Sequence, residues 1–238
     1  QRHYSLILRR RRQKIILQEG LVDMIRGQER EQRILIDSII EVGGIAEEAL
    51  TLLEDNLAGR GDNEDDIAKY SDEIKSRCRE CEREALRIIL LHHPVARDLR
   101  LITAAIRITN DLERIGDNAG DIGEILPFFK NRSLVQSVGL LDMAREVKSM
   151  VLTAVDALLE SSSEKSEKVI KSDDVVDGLF IKAKNKLVEI IRENVPDADE
   201  APDLLMVAKY FERMGDHAVS FASYVLWSES GNDKWLSK

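Results

Sequence analysis

The sequence predicts an all-α protein of six long helices, arranged as two antiparallel three-helix bundles. Of its 238 residues, four are proline, 13 are glycine and 5% are aromatic, a poor supply of the turn and strand formers that a sheet protein needs. Apolar residues instead recur every three or four positions along six stretches, which is the period of an amphipathic helix. A seven-residue pattern also occurs twice, 99 residues apart, which indicates a duplicated unit.

The first three predicted helices fall between residues 34 and 126. The first runs for about 25 residues from Ile34 and ends at Gly59-Arg-Gly-Asp-Asn, whose glycines break a helix. The second is rich in charge and ends near His92, because Pro94 follows and disfavours helical backbone before it. The third is the longest and covers about residues 94–126. Short connections between such helices favour antiparallel neighbours, so the three form one bundle.

Three further helices are predicted in the second half of the chain. The fourth begins near Leu134 and ends at the polar tract Ser161-Ser162-Ser163, the fifth covers about residues 166–194, and the sixth covers about residues 202–227. The weakest point between the bundles lies near residues 128–134. The predicted organisation is a basic N-terminal arm or extra helix (residues 1–33), a first bundle (34–130), a second bundle (131–230) and a tail (231–238).

Charge is unevenly distributed along the chain, whose net charge is −9. Residues 1–33 hold nine basic and four acidic residues, so a basic arm precedes an acidic body. The arm suits an anionic membrane surface, whereas the acidic body repels phosphates and no nucleic-acid-binding motif is present. We therefore expect no nucleic-acid partner. The lack of a signal-peptide profile and of a long apolar run predicts a cytoplasmic protein, with peripheral membrane association through the arm.

Residues that could perform catalysis are few. The four histidines offer no obvious base and orienting group for a serine or cysteine nucleophile, so the prediction is that the protein is not an enzyme. A metal-assisted hydrolase is the enzymatic alternative, since a carboxylate-bound metal can activate water. Cys78 and Cys81 are three residues apart on a predicted helix and are expected to pack as small apolar groups rather than bind zinc.

The repeated pattern carries the strongest chemical signal. It reads Glu113-Arg-Ile-Gly-Asp117-Asn-Ala in the third helix and Glu212-Arg-Met-Gly-Asp216-His-Ala in the sixth. Acids four residues apart share a helix face and repel each other, which invites a compensating cation. That cation is either a hard metal ion bound by carboxylates or a base, such as Arg114, Arg213 or a residue of a neighbouring helix. Each pattern contains a glycine, which costs helix stability and predicts close helix approach.

At these residues the sequence resembles the PhoU family of phosphate-uptake regulators. The segments His-Pro94-Val-Ala-Arg-Asp98-Leu-Arg-Leu-Ile and Asn110-Asp111-Leu-Glu-Arg-Ile-Gly-Asp117 look like the family's third helix. The second copy of the repeat looks like its sixth helix, and Asp173-Asp174-Val-Val-Asp177-Gly-Leu-Phe is similar to its fifth. The resemblance covers about residues 33–227 and implies that the two bundles are related by pseudo-symmetry.

The resemblance also implies metal clusters held by the acidic motifs on the bundle surface. The metal would be iron, zinc, manganese or magnesium. The implied ligands are Glu113 and Asp117 in the first bundle and Glu212 and Asp216 in the second, with Asp121 and Asp177 as weaker candidates. Three departures from the family pattern concern this site. Lys75 and Cys78 stand where the second helix of the family usually carries acids, and Asn118 replaces a commoner histidine.

A regulatory function without catalysis follows from the resemblance. The family dampens phosphate uptake and phosphate-starvation signalling by contacting the ATPase of the phosphate ABC transporter and a sensor histidine kinase, often as a homodimer. The alternative is a PhoU-like module that regulates another membrane transporter or channel, for potassium or for sodium and phosphate. The basic arm before Arg33 matches nothing in the family pattern, so a different partner would most plainly be recognised there.

Overall fold

The computed structural model describes residues 2–61, 64–129, 132–193 and 198–236, with side chains described from residue 27 onward except at residue 132. Within these ranges the chain forms seven α-helices, three short 3-10 turns and no strand, which confirms the all-α prediction. No helix in the described ranges is both long and apolar enough to cross a bilayer. The helices are α1 (Arg2–Leu57), α2 (Glu64–His92), α3 (Arg97–Ile125), α4 (Arg132–Val138), α5 (Leu140–Glu160), α6 (Ser163–Arg192) and α7 (Ala201–Ser230).

The helices pack as two three-helix units that share a single core. Helices α1, α2 and α3 form the first unit, and α5, α6 and α7 form the second. Contacts of α3 with α7 and of α1 with α5 join the units, so these four helices occupy the middle of the molecule. Helices α2 and α6 pack mainly on the helices of their own unit and lie on the outside. One cluster of buried apolar residues runs through both units.

Two helix boundaries differ from those expected from the sequence. The backbone of α1 runs without a break from Arg2 to Leu57, so the basic segment continues into the helix predicted to begin at Ile34. The side chains of residues 2–26 lie outside the described ones, and the expected lipid contact of the arm falls largely there. The predicted fourth helix is divided into α4 and α5 at Gly139, whose φ of 85° is a left-handed conformation that glycine adopts without strain.

The predicted C-terminal end of α2 and the packing of its cysteines are confirmed. Helix α2 ends at His92, and the turn that follows contains positive φ angles of 48° at both His93 and Ala96, on either side of Pro94 and Val95. Cys78 and Cys81 are free and fully buried between helices. Burial raises the pKa of both thiols, so they pack as neutral apolar groups at physiological pH.

A polar cluster also connects the two units. Glu54 near the end of α1 receives hydrogen bonds from the ammonium of Lys148 and from Arg145 Nε at 3.1 Å, both on α5. Arg60 approaches the same carboxylate to 3.6 Å. The Glu54 side chain is only 13% exposed. The hydrogen bond from Lys148, followed by that from Arg145, lowers the pKa of Glu54 against the opposing effect of burial.

Candidate functional site

The two copies of the repeated motif lie on helices that pack against each other, but their acids face different partners. The first copy is on α3 and its Asp117 faces α2. The second copy is on α7, and its Asp216 lies within electrostatic range of Asp173 and Asp177 of α6. Each acidic pair therefore lies between the third helix of its unit and the outer helix. The two candidate sites therefore involve different outer helices, α2 for the first and α6 for the second.

At the first site, the carboxylate of Asp117 is already paired with bases. Lys75 Nζ of α2 lies 2.9 Å from Asp117 Oδ1, and Arg114 Nη1 lies 3.6 Å from Oδ2. The hydrogen bond with Asp117 is the main cause of the raised pKa of Lys75, with smaller contributions from Asp72 and Glu113. The Lys75 ammonium is therefore held charged among three carboxylates of α2 and α3.

At the second site, carboxylates outweigh the cations that influence Asp216. Burial raises the pKa of Asp216, and the negative charges of Glu212, Asp173 and Asp177 raise it further, although the residue as a whole is exposed. Lys209 lowers this pKa but forms its ion pair with Glu212, one turn along the same helix. Its ammonium also lies 5.3 Å from the centre of the Phe180 ring.

Asp121 belongs to a different environment from Glu113 and Asp117. It is exposed and hydrogen bonded by the hydroxyl of Tyr210 on α7, an interaction that contributes to the raised pKa of Tyr210 after burial. Asp121 lines an open polar cleft of about 500 Å³ between α2, α3 and α7. The other residues that line the cleft are Lys75, Arg114, Asp117, Asn118, Gly120, Glu124, Arg213 and His217.

The residues that follow the two motifs also diverge. His217 Nδ1 lies 3.0 Å from Oδ1 of buried Asp111 and so joins α7 to α3. Asn118, at the matching position of the first motif, donates instead to the carbonyl of Arg114 on its own helix at 2.9 Å. The His217–Asp111 contact was not anticipated from the sequence, because the two residues are 106 positions apart and share no local pattern.

The donor sets of the two sites suit a metal ion to different degrees. Glu212, Asp216, Asp173 and Asp177 supply the type of carboxylate oxygen that hard cations prefer, so the donor chemistry of the second site suits a metal better than that of the first. The first site does not fit, because both oxygens of Asp117 already face basic groups. Among the described residues, no three Asp, Glu, His or Cys side chains are arranged to ligate one ion. Metal binding therefore stays a prediction.

Comparison with known proteins places both units in one family. The family model of the PhoU domain matches residues 39–126 and 140–225. The chain belongs to the PhoU family. Each match falls within one three-helix unit, so the duplication seen in the sequence is a duplication of the PhoU domain. Residues 1–38, which include the basic segment, precede the first match.

Relatives align over most of their own length. The chain is 31% identical to a phosphate-specific transport system accessory protein PhoU homolog of Clostridium acetobutylicum over 83% of this chain and 91% of the relative. It is 34% identical to the homolog of the same name from Zymomonas mobilis, over 81% of this chain and 82% of that relative. The crystal structure of PhoU from Pseudomonas aeruginosa superposes with a TM-score of 0.78 at 24% identity, over 86% of this chain and 99% of that one. That crystal structure and this chain share the same fold.

Proposed function

We propose that this PhoU-family protein is a non-enzymatic regulator of phosphate uptake and phosphate-starvation signalling. It acts at the cytoplasmic side of the membrane by contact with the ATPase of the phosphate ABC transporter and with a sensor histidine kinase. The observation that carries the proposal is similarity over both repeats, and over 91% of its length, to a relative named as an accessory protein of the phosphate-specific transport system.

The charged surface offers a physical basis for such contacts. The chain carries 44 acidic against 35 basic residues, and the acids of the motifs lie along the accessible edges of α3 and α7. Clustered surface carboxylates attract basic patches on a partner and speed association, an effect that salt screens. Binding to the ATPase is therefore expected to weaken as ionic strength rises.

Metal binding forms a second part of the proposal and concerns the second repeat. Glu212, Asp216 and Asp177, with Asp173 beside them, would hold a hard cation such as Mn²⁺ or Mg²⁺ between α6 and α7. The bound ion would neutralise the carboxylates and fix the outer helix against the central ones. The sequence-based ligands of the first repeat, Glu113, Asp117 and Asp121, are left out of this proposal, because both oxygens of Asp117 face basic groups.

The test is co-purification of the tagged chain from membranes of cells grown in high and in low phosphate, with partners identified by mass spectrometry. Recovery of a phosphate-transporter ATPase or a phosphate-sensing kinase, more strongly in one condition than the other, is the expected result. The control is a tagged three-helix protein of similar charge from the same cells. Failure to enrich either protein over that control would contradict the proposal.

The same experiment addresses a second candidate function. A PhoU-like module of another transporter or channel, for potassium or for sodium and phosphate, would have the same fold and acids. The observation that favours it is the basic part of α1, which lies outside the residues matched by the family. Recovery of such a carrier, and loss of that recovery when residues 1–33 are removed, would replace the phosphate-transporter assignment.

A further inference from the structure

The packing of the two motif glycines shows which residues of the two outer helices correspond to each other. A Cβ atom at Gly116 would lie 2.8 Å from Cγ2 of Ile74 on α2, and a Cβ at Gly215 would lie 3.4 Å from Cγ1 of Val176 on α6. Ile74 and Val176 therefore occupy matching positions on the outer helices. The residues that follow them are Lys75 in the first repeat and Asp177 in the second.

This correspondence exposes a reversal of charge at one position. Where the first repeat has the Lys75 ammonium 2.9 Å from Asp117, the second repeat has the carboxylate of Asp177 near Asp216. One turn earlier on the outer helices, Ser71 of the first repeat matches Asp173 of the second. The first site therefore combines its two motif acids with a lysine and a serine, whereas the second combines its two with two further acids.

We infer that the Lys75 ammonium is a built-in cation that takes the place of a metal ion in the first repeat, so that this repeat binds no metal. The Lys75 ammonium already bridges α2 to the motif acid Asp117 of α3, as a bound metal would. A divalent ion placed there would be repelled by Lys75 and by Arg114, which lies 3.6 Å from the other oxygen of Asp117. The assignment for the second repeat rests on the metal part of the proposed function.

Lys209 does not play the same role in the second repeat. It lies on α7, the helix that also carries Glu212 and Asp216, so its ion pair with Glu212 joins two turns of one helix. Lys75 reaches across from the outer helix to the motif helix. A metal at the second site could join α6 to α7 through Asp177 and Asp216, a connection that Lys209 does not supply.

The experiment measures Mn²⁺ bound to the full metal-depleted chain by equilibrium dialysis and elemental analysis. The Glu113→Gln/Asp117→Asn variant is expected to bind as much Mn²⁺ as the wild type. The matched Glu212→Gln/Asp216→Asn variant is expected to lose more than about tenfold in Mn²⁺ affinity. Losing a group that only supports a metal ligand already costs at least about tenfold, and this variant loses two direct ligands. A fall in bound Mn²⁺ in the first variant would overturn the inference.

A charge reversal tests the role of Lys75 directly. Lys75→Asp recreates the acid of the second repeat and is expected to raise bound Mn²⁺ above the wild-type amount. This gain should disappear when Glu113→Gln and Asp117→Asn are added. Lys75→Gln, which removes the cation without adding a ligand, is the control and should gain less. A folded Lys75→Asp variant, checked by circular dichroism, that gains no Mn²⁺ would overturn the inference.

The two proposals fail in different ways. Absence of Mn²⁺ binding in the wild type would overturn the metal assignment of the second repeat, while gain of binding in Lys75→Asp would still establish Lys75 as the group that excludes metal from the first. If Lys75→Asp does not fold, the Glu113→Gln/Asp117→Asn comparison decides alone. Partner recovery in the co-purification experiment does not depend on either result.

Discussion

The first and second repeats share a motif, yet the charges that surround their acids differ. In the first, Lys75 of the outer helix pairs with Asp117. In the second, the matching position holds Asp177, and the negative charges around Asp216 contribute to its raised pKa. Five of the seven motif residues are identical in the two copies. The electrostatics of such a motif are therefore determined by the helix that faces it, which the motif itself does not encode.

The repeats also differ in how closely their helices approach. Both motifs contain a glycine, but a Cβ would come within 2.8 Å of Ile74 at Gly116 and only within 3.4 Å of Val176 at Gly215. The expected close approach of helices is therefore found at Gly116, whereas Gly215 leaves room for a methyl group. The tighter packing coincides with the repeat that has the lysine, where α2 and α3 are joined directly by an ion pair.

The largest expected effect is the difference in stability between alanine variants of Gly116 and of Gly215. Gly116→Ala forces a methyl group against Ile74 and is expected to lower the free energy of unfolding by about 2 kcal/mol, the typical cost of overpacking. Gly215→Ala is expected to raise it by up to about 1 kcal/mol, because alanine favours helix over glycine and the contact is ordinary. Urea unfolding followed by circular dichroism measures both. Equal effects of the same sign would contradict the difference in packing.

A smaller effect is expected at Glu54, where the two repeats are joined. Its lowered pKa means that the folded chain binds a proton less readily than the unfolded chain. The pairing with Lys148 and Arg145 therefore stabilises the protein above the ordinary carboxyl pKa of 4.5, and this contribution is lost as the pH falls through the lowered value. Glu54→Gln is expected to cost about 1 kcal/mol at pH 7.

The pH dependence provides the control for the Glu54 prediction. The difference in free energy of unfolding between Glu54→Gln and the wild type should shrink as the pH falls below 4.5 and through the lowered pKa of Glu54, because the wild-type carboxylate then becomes protonated too. Thr51→Ala, one turn earlier on α1, changes a side chain that bonds its own helix and should show no such dependence. A pH-independent difference for Glu54→Gln would show that the ion pairs contribute little.

Reversing the charge of Asp177 should give the second site an ion pair like that of Lys75 with Asp117 in the first. In metal-free protein, Asp177→Lys places an ammonium beside Asp216 and is expected to raise the free energy of unfolding by about 0.5 kcal/mol, the order of an exposed ion pair. Glu167→Lys, ten residues earlier on the exposed surface of α6, makes the same charge change and is the control. Thermal unfolding in the presence of a chelator measures both. If Asp177→Lys stabilises the protein no more than the control does, positions 75 and 177 are not equivalent.

The smallest effect is expected from removing Lys75 itself. Its side chain and that of Asp117 are 35% and 30% exposed, so solvent screens the pair and Lys75→Gln is expected to cost a few tenths of a kcal/mol. A paired thermal-unfolding series at low and at high salt measures this cost. It should be smaller at high salt, because screening already weakens the ion pair in the wild type. A larger cost at high salt would contradict an electrostatic role.

Local sequence patterns were sufficient to predict most of the fold. The three-to-four spacing of apolar residues indicated the long helices, and Pro94 correctly indicated the end of α2 near His92. The sequence does not predict that α1 continues through the basic segment. The many arginines there interrupt the apolar spacing that marks the helix after Ile34, although the backbone of both parts is helical. The division at Gly139 was also missed, since a single glycine within an apolar run predicts a break only weakly.

The candidate site was less predictable, because its chemistry depends on contacts between distant segments. Spacing along one helix locates the acids of both motifs, and Lys75 is a departure from the family pattern. Its pairing with Asp117 across 42 positions required the register of α2 on α3. The same is true of the His217–Asp111 contact. Asp173 and Asp177 belong to one sequence motif, but only the packing of α6 on α7 brings them towards Asp216.

The outer position of α2 and α6 has a consequence for how the molecule opens. Helices that lie at the periphery of a shared four-helix centre can detach as separate units without breaking that centre, and such units show faster amide hydrogen exchange. Since α2 is tied to α3 by an ion pair within the chain, its exchange should be insensitive to divalent ions. Exchange of α6 should slow when its carboxylates are neutralised, so that one outer helix reports the ionic state of its surroundings and the other does not.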